Sequence, residues 1–322
     1  MKRIAFLAAV GTMVLASVAC GDDDAGTGGS GASGGGTATG TGGSTTSTGG
    51  GGTGGTGGSG GGTTEPIALE IDFAAQVNGA AFQCGTVYDG VGMGNTSGQL
   101  TDFRLYVHDL EILTAEGAVP LELEQDGVWQ LESLALLDFE DKAGACANGT
   151  TELNTSVRGE VPAGTVPVGL RFKLGVPFEL NHADAATAPS PLNLTALFWN
   201  WQGGYKFLRA DFMASGAMMP FNLHLGSTGC DGDPSTGGVT TCDRPNVTTI
   251  TLDSFDPTSD TVVVDYGAVI ATSDLGVPDA GGAPGCMSGM TDPECPAVFQ
   301  NLGIDMMTGT LDPSLQTLFT SN

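Results

Sequence analysis

The segment from residue 176 to residue 230 holds most of the side chains that could bind a metal ion. It contains His182 and His224, two of the three histidines in the chain, and Trp199 and Trp201, two of the three tryptophans. Imidazole is the most common protein ligand of transition metals and suits copper and zinc. We therefore expect a site built from nitrogen ligands and an aromatic side chain to draw on this segment.

The third histidine, His108, follows a run with the period-two pattern of a β-strand. Because side chains alternate between the two faces of a strand, His108 is predicted to lie opposite Phe103 and Leu105. The same alternation over residues 221–225 places His224 opposite the apolar side chains. Both imidazoles are therefore predicted on a polar face, away from the core.

His182 lies in a segment that loses the strand pattern, so we expect it on a loop, where ligands and catalytic groups concentrate. Trp199 and Trp201 are separated by one residue and are predicted to share a strand face, with a turn after them. The alternative is that the three histidines are unrelated surface residues and that the tryptophans pack in the core.

The elements that must position these side chains are mainly strands. Residues 170–176 alternate in polarity, and residues 261–266 form a run rich in β-branched residues. Turn residues separate such runs at spacings that suit antiparallel connections. Short peripheral helices are predicted over residues 297–302 and after Asp312, which precedes a proline. The fold is predicted to be all-β, an antiparallel β-sandwich with disulfide-closed loops.

Three domains of different composition are predicted. Residues 1–20 read as a lipoprotein signal peptide, with a basic start, an apolar stretch and small residues before Cys20, the predicted lipidation site. Residues 21–64 are almost entirely Gly, Ser, Thr and Ala, which predicts a disordered tether. Residues 65–322 are predicted to form one β-sandwich domain. The alternative for the first segment is an ordinary secreted protein with a spare thiol at Cys20.

The charge excludes some partners. With 10 Lys and Arg against 36 Asp and Glu, the formal net charge is −26, so nucleic acid and anionic lipid are poor partners. No GxSxG or HExxH signature is present in the sequence. We therefore expect a binding protein and not an enzyme.

Six cysteines follow Cys20, and an even number in an exported chain favours disulfides. A zinc or iron–sulfur site would need CxxC-type spacing and a reducing environment, and the sequence indicates neither. Sequence alone allows fifteen connectivities, but pairing of neighbours costs the least loop closure. That preference gives the pairs Cys230 with Cys242, Cys286 with Cys295, and Cys84 with Cys146.

An ordered series of short blocks resembles the MbnP family, exported proteins also called metallo-mystery-pair four-cysteine proteins. The resemblance covers nearly the whole domain, from about residue 68 to about residue 266, and the series is much more specific than any one block. The two cysteines at 286 and 295 look like an addition to the family pattern. The blocks are Asn78-Gly79, Cys84-Gly85 with Tyr88, residues 102–108, 176–178, Asn181-His182, 191–193, 199–207 and 224–230.

The resemblance implies a copper-binding β-sandwich in which histidines and a kynurenine hold the copper. The kynurenine is made from tryptophan by a partner di-haem enzyme of the MauG-like peroxidase kind. Carried onto this chain, the candidate ligands are His108, His182 and His224, and the candidate modified residue is Trp199 or Trp201. Kynurenine carries an aromatic amine and a ketone that can bind a metal, whereas tryptophan offers only an N–H donor.

Two functions follow from these features. The first is an exported copper-binding protein, lipid-anchored to a bacterial membrane, which we expect to be the outer membrane because glycine follows Cys20. The second is a tethered β-sandwich that mediates adhesion or binds glycans without a metal.

Overall fold

The computed structural model describes residues 65–233, 238–275 and 283–322. The predicted signal peptide, Cys20 and the tether lie outside the described residues. The described residues fall within one compact unit, residues 59–322. Within these ranges, no helix is both long and apolar enough to cross a membrane.

Strands dominate the described part of the chain, as the alternating sequence pattern predicts. They are β1 (Ile67–Val77), β2 (Ala80–Ala81), β3 (Tyr88–Val91), β4 (Thr96–Thr114), β5 (Gly117–Pro120), β6 (Glu122–Leu123), β7 (Gln130–Leu131), β8 (Leu134–Asp138), β9 (Ser156–Val161), β10 (Gly169–Leu174), β11 (Phe198–Asn200), β12 (Gly204–Tyr205), β13 (Leu208–Ala214), β14 (Phe221–Leu225), β15 (Thr228–Asp233), β16 (Gly238–Arg244), β17 (Thr248–Asp253), β18 (Val262–Asp265), β19 (Gly285–Cys286) and β20 (Phe319–Ser321).

These strands form two main sheets and two hairpins. The smaller sheet has the order β20-β18-β1-β9-β6, and β2 also pairs with β1. The larger sheet has the order β17-β10-β4-β13-β14-β19, with β3, β5 and β8 also paired to the long strand β4 and β7 paired to β8. The hairpins are β11 with β12 and β15 with β16. The all-β sandwich-like class is confirmed.

The prediction that all strands pair antiparallel is wrong at two places. β1 pairs with β18 in parallel, and β14 pairs with β19 in parallel. Parallel strands need a long crossover connection, and each of these pairs joins segments far apart in the chain. Spacing between neighbouring strands reports only local connections, so it could not reveal these pairs.

Helices are short and few among the described residues. They are α1 (Phe178–Asn181), α2 (Tyr266–Val269) and α3 (Cys295–Asn301), with 3-10 turns at Thr195–Leu197 and Pro313–Leu315. The predicted helix after residue 296 corresponds to α3. Asp312 caps the final 3-10 turn through its side chain, which accepts from the Ser314 N–H. The sequence pattern did not reveal α1, which presents His182.

The core lies between the two main sheets. The Phe172 ring in β10 makes edge-on contacts with the rings of Phe73 in β1 and Phe319 in β20, at centroid distances of 5.8 and 5.1 Å. These contacts cross from the larger sheet to the smaller one. Aromatic pairs of this geometry add to the free energy that area burial already supplies.

The opposite face of β4, which was predicted to be a polar face away from the core, is also buried. Every residue from 102 to 108 is buried, and His108 is 4% exposed. The segment around the first 3-10 turn covers this face, because Tyr106 donates to the Pro191 carbonyl and Arg209 donates to the Ala196 carbonyl. Alternation correctly gave the two faces but could not show that both are covered.

Titratable side chains on this covered face form a continuous series, which we call the charged row. Arg104 pairs with Asp102 and lies 3.5 Å from Glu140. Arg209 contacts both Asp102 and Asp211. Buried charges are stable only when paired in this way. The charged row comprises Asp102, Arg104, Glu140, Arg209, Asp211 and His224.

Three disulfides close loops in the described residues. They join Cys84 to Cys146, Cys230 to Cys242, and Cys286 to Cys295, the pairs that sequence proximity favours. Cys230 and Cys242 stand directly opposite each other in the β15–β16 hairpin. Cys286 and Cys295 connect the edge strand β19 to α3.

Glu140, at one end of the charged row, is expected to make the free energy of unfolding depend on pH. Burial raises the pKa of Glu140 to about 7, against the opposing effect of Arg104. The folded protein therefore holds this proton more tightly than the unfolded chain, and the resulting stability is complete below about pH 4 and lost as pH rises through 7. We expect Glu140→Gln to flatten the fall in Tm between pH 5 and pH 8, measured by thermal denaturation.

Glu160→Gln is the matched control, because Glu160 is an exposed carboxylate on β9. It should leave the pH dependence of Tm as in the unmodified protein. Parallel Tm curves for the Glu140→Gln variant and the unmodified protein would contradict the assignment.

Candidate metal site

The tryptophan hairpin, β11 and β12 with the turn between them, forms the centre of the candidate site. Trp199 lies within β11 and is half-buried, whereas Trp201 lies in the turn and is 36% exposed. The Asn200 side-chain oxygen accepts from the N–H groups of Gln202 and Gly203, which closes the turn. The two tryptophans therefore do not share a strand face, because the strand ends at Asn200.

His182 follows the short helix α1 and is oriented by the turn of the tryptophan hairpin. Its Nδ1 lies 3.1 Å from the Trp201 carbonyl oxygen, which can only accept a hydrogen bond, so Nδ1 carries the proton. The Nε2 lone pair then faces the Asn181 amide at 3.2 Å and Cys242 Sγ at 3.5 Å. Burial lowers the pKa of His182, which favours this neutral form.

Asn181 joins three segments of the site. Its side-chain oxygen accepts from the Tyr205 N–H at 2.9 Å, and its amide donates to Ser227 Oγ at 3.2 Å. Asn181 is 1% exposed, so these bonds are shielded from water. Gly204 passes so close that a Cβ there would lie 2.5 Å from the Asn181 side-chain oxygen. The three joined segments are α1, the tryptophan hairpin and the loop after β14.

His224 has the arrangement of a metal ligand that a carboxylate supports. Its Nε2 lies 2.7 Å from Asp211 Oδ1 and must donate, so in the neutral ring the lone pair is on Nδ1. His224 Nδ1 is buried, and no described residue forms a hydrogen bond with it. Burial raises the pKa of Asp211, but His224 and Arg209 together lower it below its usual value. Metal-binding histidines commonly donate their other N–H to a carboxylate in this way.

Trp199 connects the His224 segment to the hairpin. Its six-membered ring covers Gly226, where a Cβ would lie 2.4 Å from Trp199 Cζ3. Gly226 is two residues beyond His224, and Ser288 Oγ bonds the backbone of both residues. Glycine is therefore required at position 226 for the ring to approach the backbone. The hairpin thus contacts the His182 segment through Trp201 and the His224 segment through Trp199.

His108 lies elsewhere on the covered face. In the strand register, Arg104 of β4 lies opposite Arg209 of β13, and Arg209 lies opposite His224 of β14. His108 is therefore four residues along β4 and two strands across from His224. At about 3.3 Å per residue and 4.8 Å per strand, their backbones are roughly 16 Å apart. Burial lowers the pKa of His108 to about 4. The structure therefore separates His108 from His224 and brings His182 and His224 to either side of the hairpin.

Two clusters of potential metal ligands occur in the described residues, and each contains one disulfide. They are His182 with Cys230 and Cys242, and Glu140 with Cys84 and Cys146. The sequence pattern indicates neither a role for Asp211 nor the contact of Cys242 with His182. Alternation along β13 would have placed Asp211 on the same face as Arg209, but the neighbour of His182 depends on a long-range contact.

Asn181→Ala should destabilise the protein by about 2–3 kcal/mol, since it removes two buried hydrogen bonds and leaves the Tyr205 N–H unsatisfied. Urea unfolding at equilibrium measures this loss. Asn148→Ala is the control, because Asn148 is exposed and should change stability by less than about 0.5 kcal/mol. Equal stabilities of the two variants would refute the joining role of Asn181.

Comparison with known proteins agrees with this architecture. A model of the MbnP family matches residues 66–288. The solved structure of MbnP from Methylosinus trichosporium is similar, with a TM-score of 0.72 and 31% sequence identity over 80% of this chain and 99% of that one. No curated protein matches the chain. The family match spans more than half of the sequence, and the chain therefore belongs to the MbnP family.

Proposed function

We propose that this protein is an exported copper-binding protein whose site combines imidazoles with a kynurenine formed from tryptophan. The observation that carries the proposal is the His224 ring, in which Asp211 holds Nε2 and the buried Nδ1 has no hydrogen-bond partner among the described residues. Both ring nitrogens of His108 also lack a hydrogen-bond partner there, but His108 has no such hydrogen bond to a carboxylate. A buried polar atom without a partner is costly, and a bound metal ion would satisfy it. The charged row, through Arg209, holds Asp211 in place.

His182 is the second proposed ligand. Its Nδ1 proton is committed to the Trp201 carbonyl, so Nε2 offers its lone pair in the tautomer that a metal requires. Asn181 connects this residue to the loop that follows His224. Two imidazoles on either side of one hairpin supply the nitrogen-rich environment that suits copper. His108 is left outside the proposed site because of its distance from His224.

Trp199 is the proposed precursor of the kynurenine. Its half-buried ring lies against the loop that follows His224. Trp201, by contrast, is exposed, and its backbone carbonyl accepts a hydrogen bond from His182. Opening the indole ring would release an aromatic amine and a ketone next to the imidazoles. Kynurenine would thereby supply a donor that tryptophan lacks.

The proposal also covers how the site is formed, how the chain is attached to a membrane and what the protein does. A MauG-like di-haem peroxidase-type partner would oxidise the tryptophan, and a lipid on Cys20 would attach the chain to a bacterial membrane, the outer membrane in our proposal. The protein itself would bind copper and would not turn over a substrate. The net charge of −26 makes nucleic acid an unfavourable partner.

Protein isolated from its native host should contain one copper ion per chain after dialysis against a chelator. Peptide mapping should locate the mass of kynurenine at Trp199, with Trp201 unmodified. Intact tryptophan at both positions together with loss of all copper would refute the proposal. An adhesive or glycan-binding function would then be the remaining candidate, which a glycan-binding screen with the metal-free protein tests.

Asp211→Asn should weaken copper binding by the matured protein about 10–100-fold, because the carboxylate no longer supports His224. His224→Asn should weaken it further, since a ligand is lost. Competition with a chelator of known affinity measures both effects. His108→Asn is the matched control for a buried histidine outside the site, and an equal loss of copper in that variant would contradict the proposed ligand set.

A further inference from the structure

The β15–β16 hairpin presents a disulfide to the unprotonated nitrogen of His182. Cys230 and Cys242 are joined across the hairpin, and Cys242 Sγ lies 3.5 Å from His182 Nε2. The two sulfur atoms and one imidazole nitrogen all lie within 4.8 Å of one another. A histidine and two sulfurs this close form a ligand set for a thiophilic metal once the sulfurs are thiolates.

The imidazole is already oriented for that role. The Trp201 carbonyl holds Nδ1, so the lone pair is on Nε2, which lies 3.2 Å from the Asn181 amide and 3.5 Å from Cys242 Sγ. A metal ion at the thiolates would take this lone pair from the Asn181 amide, which keeps its bond to Ser227. Asn181 fixes the backbone next to His182 through its bonds to Tyr205 and Ser227. The turn of the tryptophan hairpin is also bonded to β15, because the Gln202 side-chain amide donates to the Cys230 carbonyl at 2.8 Å. The ligand atoms therefore belong to segments that are bonded to each other independently of the disulfide.

We propose that Cys230, Cys242 and His182 form a second metal site, for a thiophilic ion such as Zn²⁺, when a dithiol reductant opens the hairpin disulfide. This site differs in ligand set from the proposed copper site and requires no kynurenine. It would let the protein hold a different ion in its reduced form. The two sites share His182, so occupation of one would exclude its use by the other.

The chemistry is a dithiol exchange followed by metal binding. A thiolate of the reductant attacks Cys242 Sγ, the sulfur–sulfur bond breaks, and Cys230 leaves as a thiolate. The second thiol of the reductant then attacks its own sulfur in the mixed disulfide and releases Cys242. Two electrons and two protons pass to the protein, and the reductant becomes a disulfide. Binding of the divalent ion displaces the two thiol protons.

Access to the disulfide supports this sequence of steps. Cys242 is half-buried and lies on a hairpin with several exposed residues, so a reductant can reach it. Both sulfurs of the Cys286–Cys295 disulfide belong to residues that are at most 1% exposed. Three protein ligands leave one position of a tetrahedral ion for water.

Protein made without the partner enzyme, with intact tryptophans, provides the test. It is reduced with dithiothreitol, freed of reductant without oxygen and titrated with Co²⁺, which gives thiolate-to-metal absorption. We expect one Co²⁺ per chain and displacement by Zn²⁺. His182→Ala should weaken Co²⁺ binding by about tenfold or more, since one of three protein ligands is lost. The oxidised protein should give no thiolate band, and the reduced Cys230→Ser/Cys242→Ser variant should lose the band that depends on His182.

His108→Asn is the matched histidine control and should bind Co²⁺ as the unmodified protein does. Alkylation with peptide mapping identifies the freed thiols, and circular dichroism follows the fold. The proposal is overturned if the 230–242 disulfide opens only with unfolding, if the folded reduced protein shows no thiolate band, or if His182→Ala binds Co²⁺ equally well. None of these outcomes depends on whether native material contains copper or kynurenine.

Discussion

The arrangement of the site depends on one buried amide, the side chain of Asn181. Its oxygen accepts from the backbone of the tryptophan hairpin, and its nitrogen donates to the loop after β14. It thereby connects three pieces of chain that have little regular structure of their own: a single-turn helix, a short hairpin and a loop. Short elements of this kind are not stable in isolation, so their mutual hydrogen bonds must replace the packing that longer elements would provide. The positions of His182 and the tryptophans relative to the loop after His224 follow from this connection.

The second constraint is the burial of charge on the far face of the larger sheet. The charged row extends from Glu140 through Arg104, Asp102 and Arg209 to Asp211 and His224, and each member contacts the next. In a low-dielectric environment such a series is costly to break, and it restricts the side chains to one geometry. Asp211 is therefore held in the position that sets the tautomer of His224. The same burial that raises the pKa of Glu140 at one end thus supports a candidate ligand at the other.

Much of the fold and part of the site could be predicted from the sequence. Alternation over β4, β10 and β14 correctly gave strands and faces, and neighbouring cysteines gave the observed pairs. The resemblance of ordered blocks indicated the family, which the comparisons confirm. The parallel pairs, the cover over the charged row and the contact of Cys242 with His182 could not be predicted, because each joins residues distant in sequence. Local pattern also failed at Trp201, where hydrogen bonds to Asn200 end the strand one residue earlier than alternation implies.

The position of β1 has a mechanical consequence for a chain held by its N-terminus. β1 begins at Ile67, soon after the predicted tether, and is bonded on one side to β9 and on the other to β18. A pull transmitted along the tether would act along the axis of β1, while the hydrogen bonds to both neighbours run across that axis. A force along the strand would load all of these hydrogen bonds at once, in shear. A force perpendicular to the strand, applied at one end, would break them one after another. An anchor at the N-terminal end would therefore load a strand that is hydrogen-bonded on both sides.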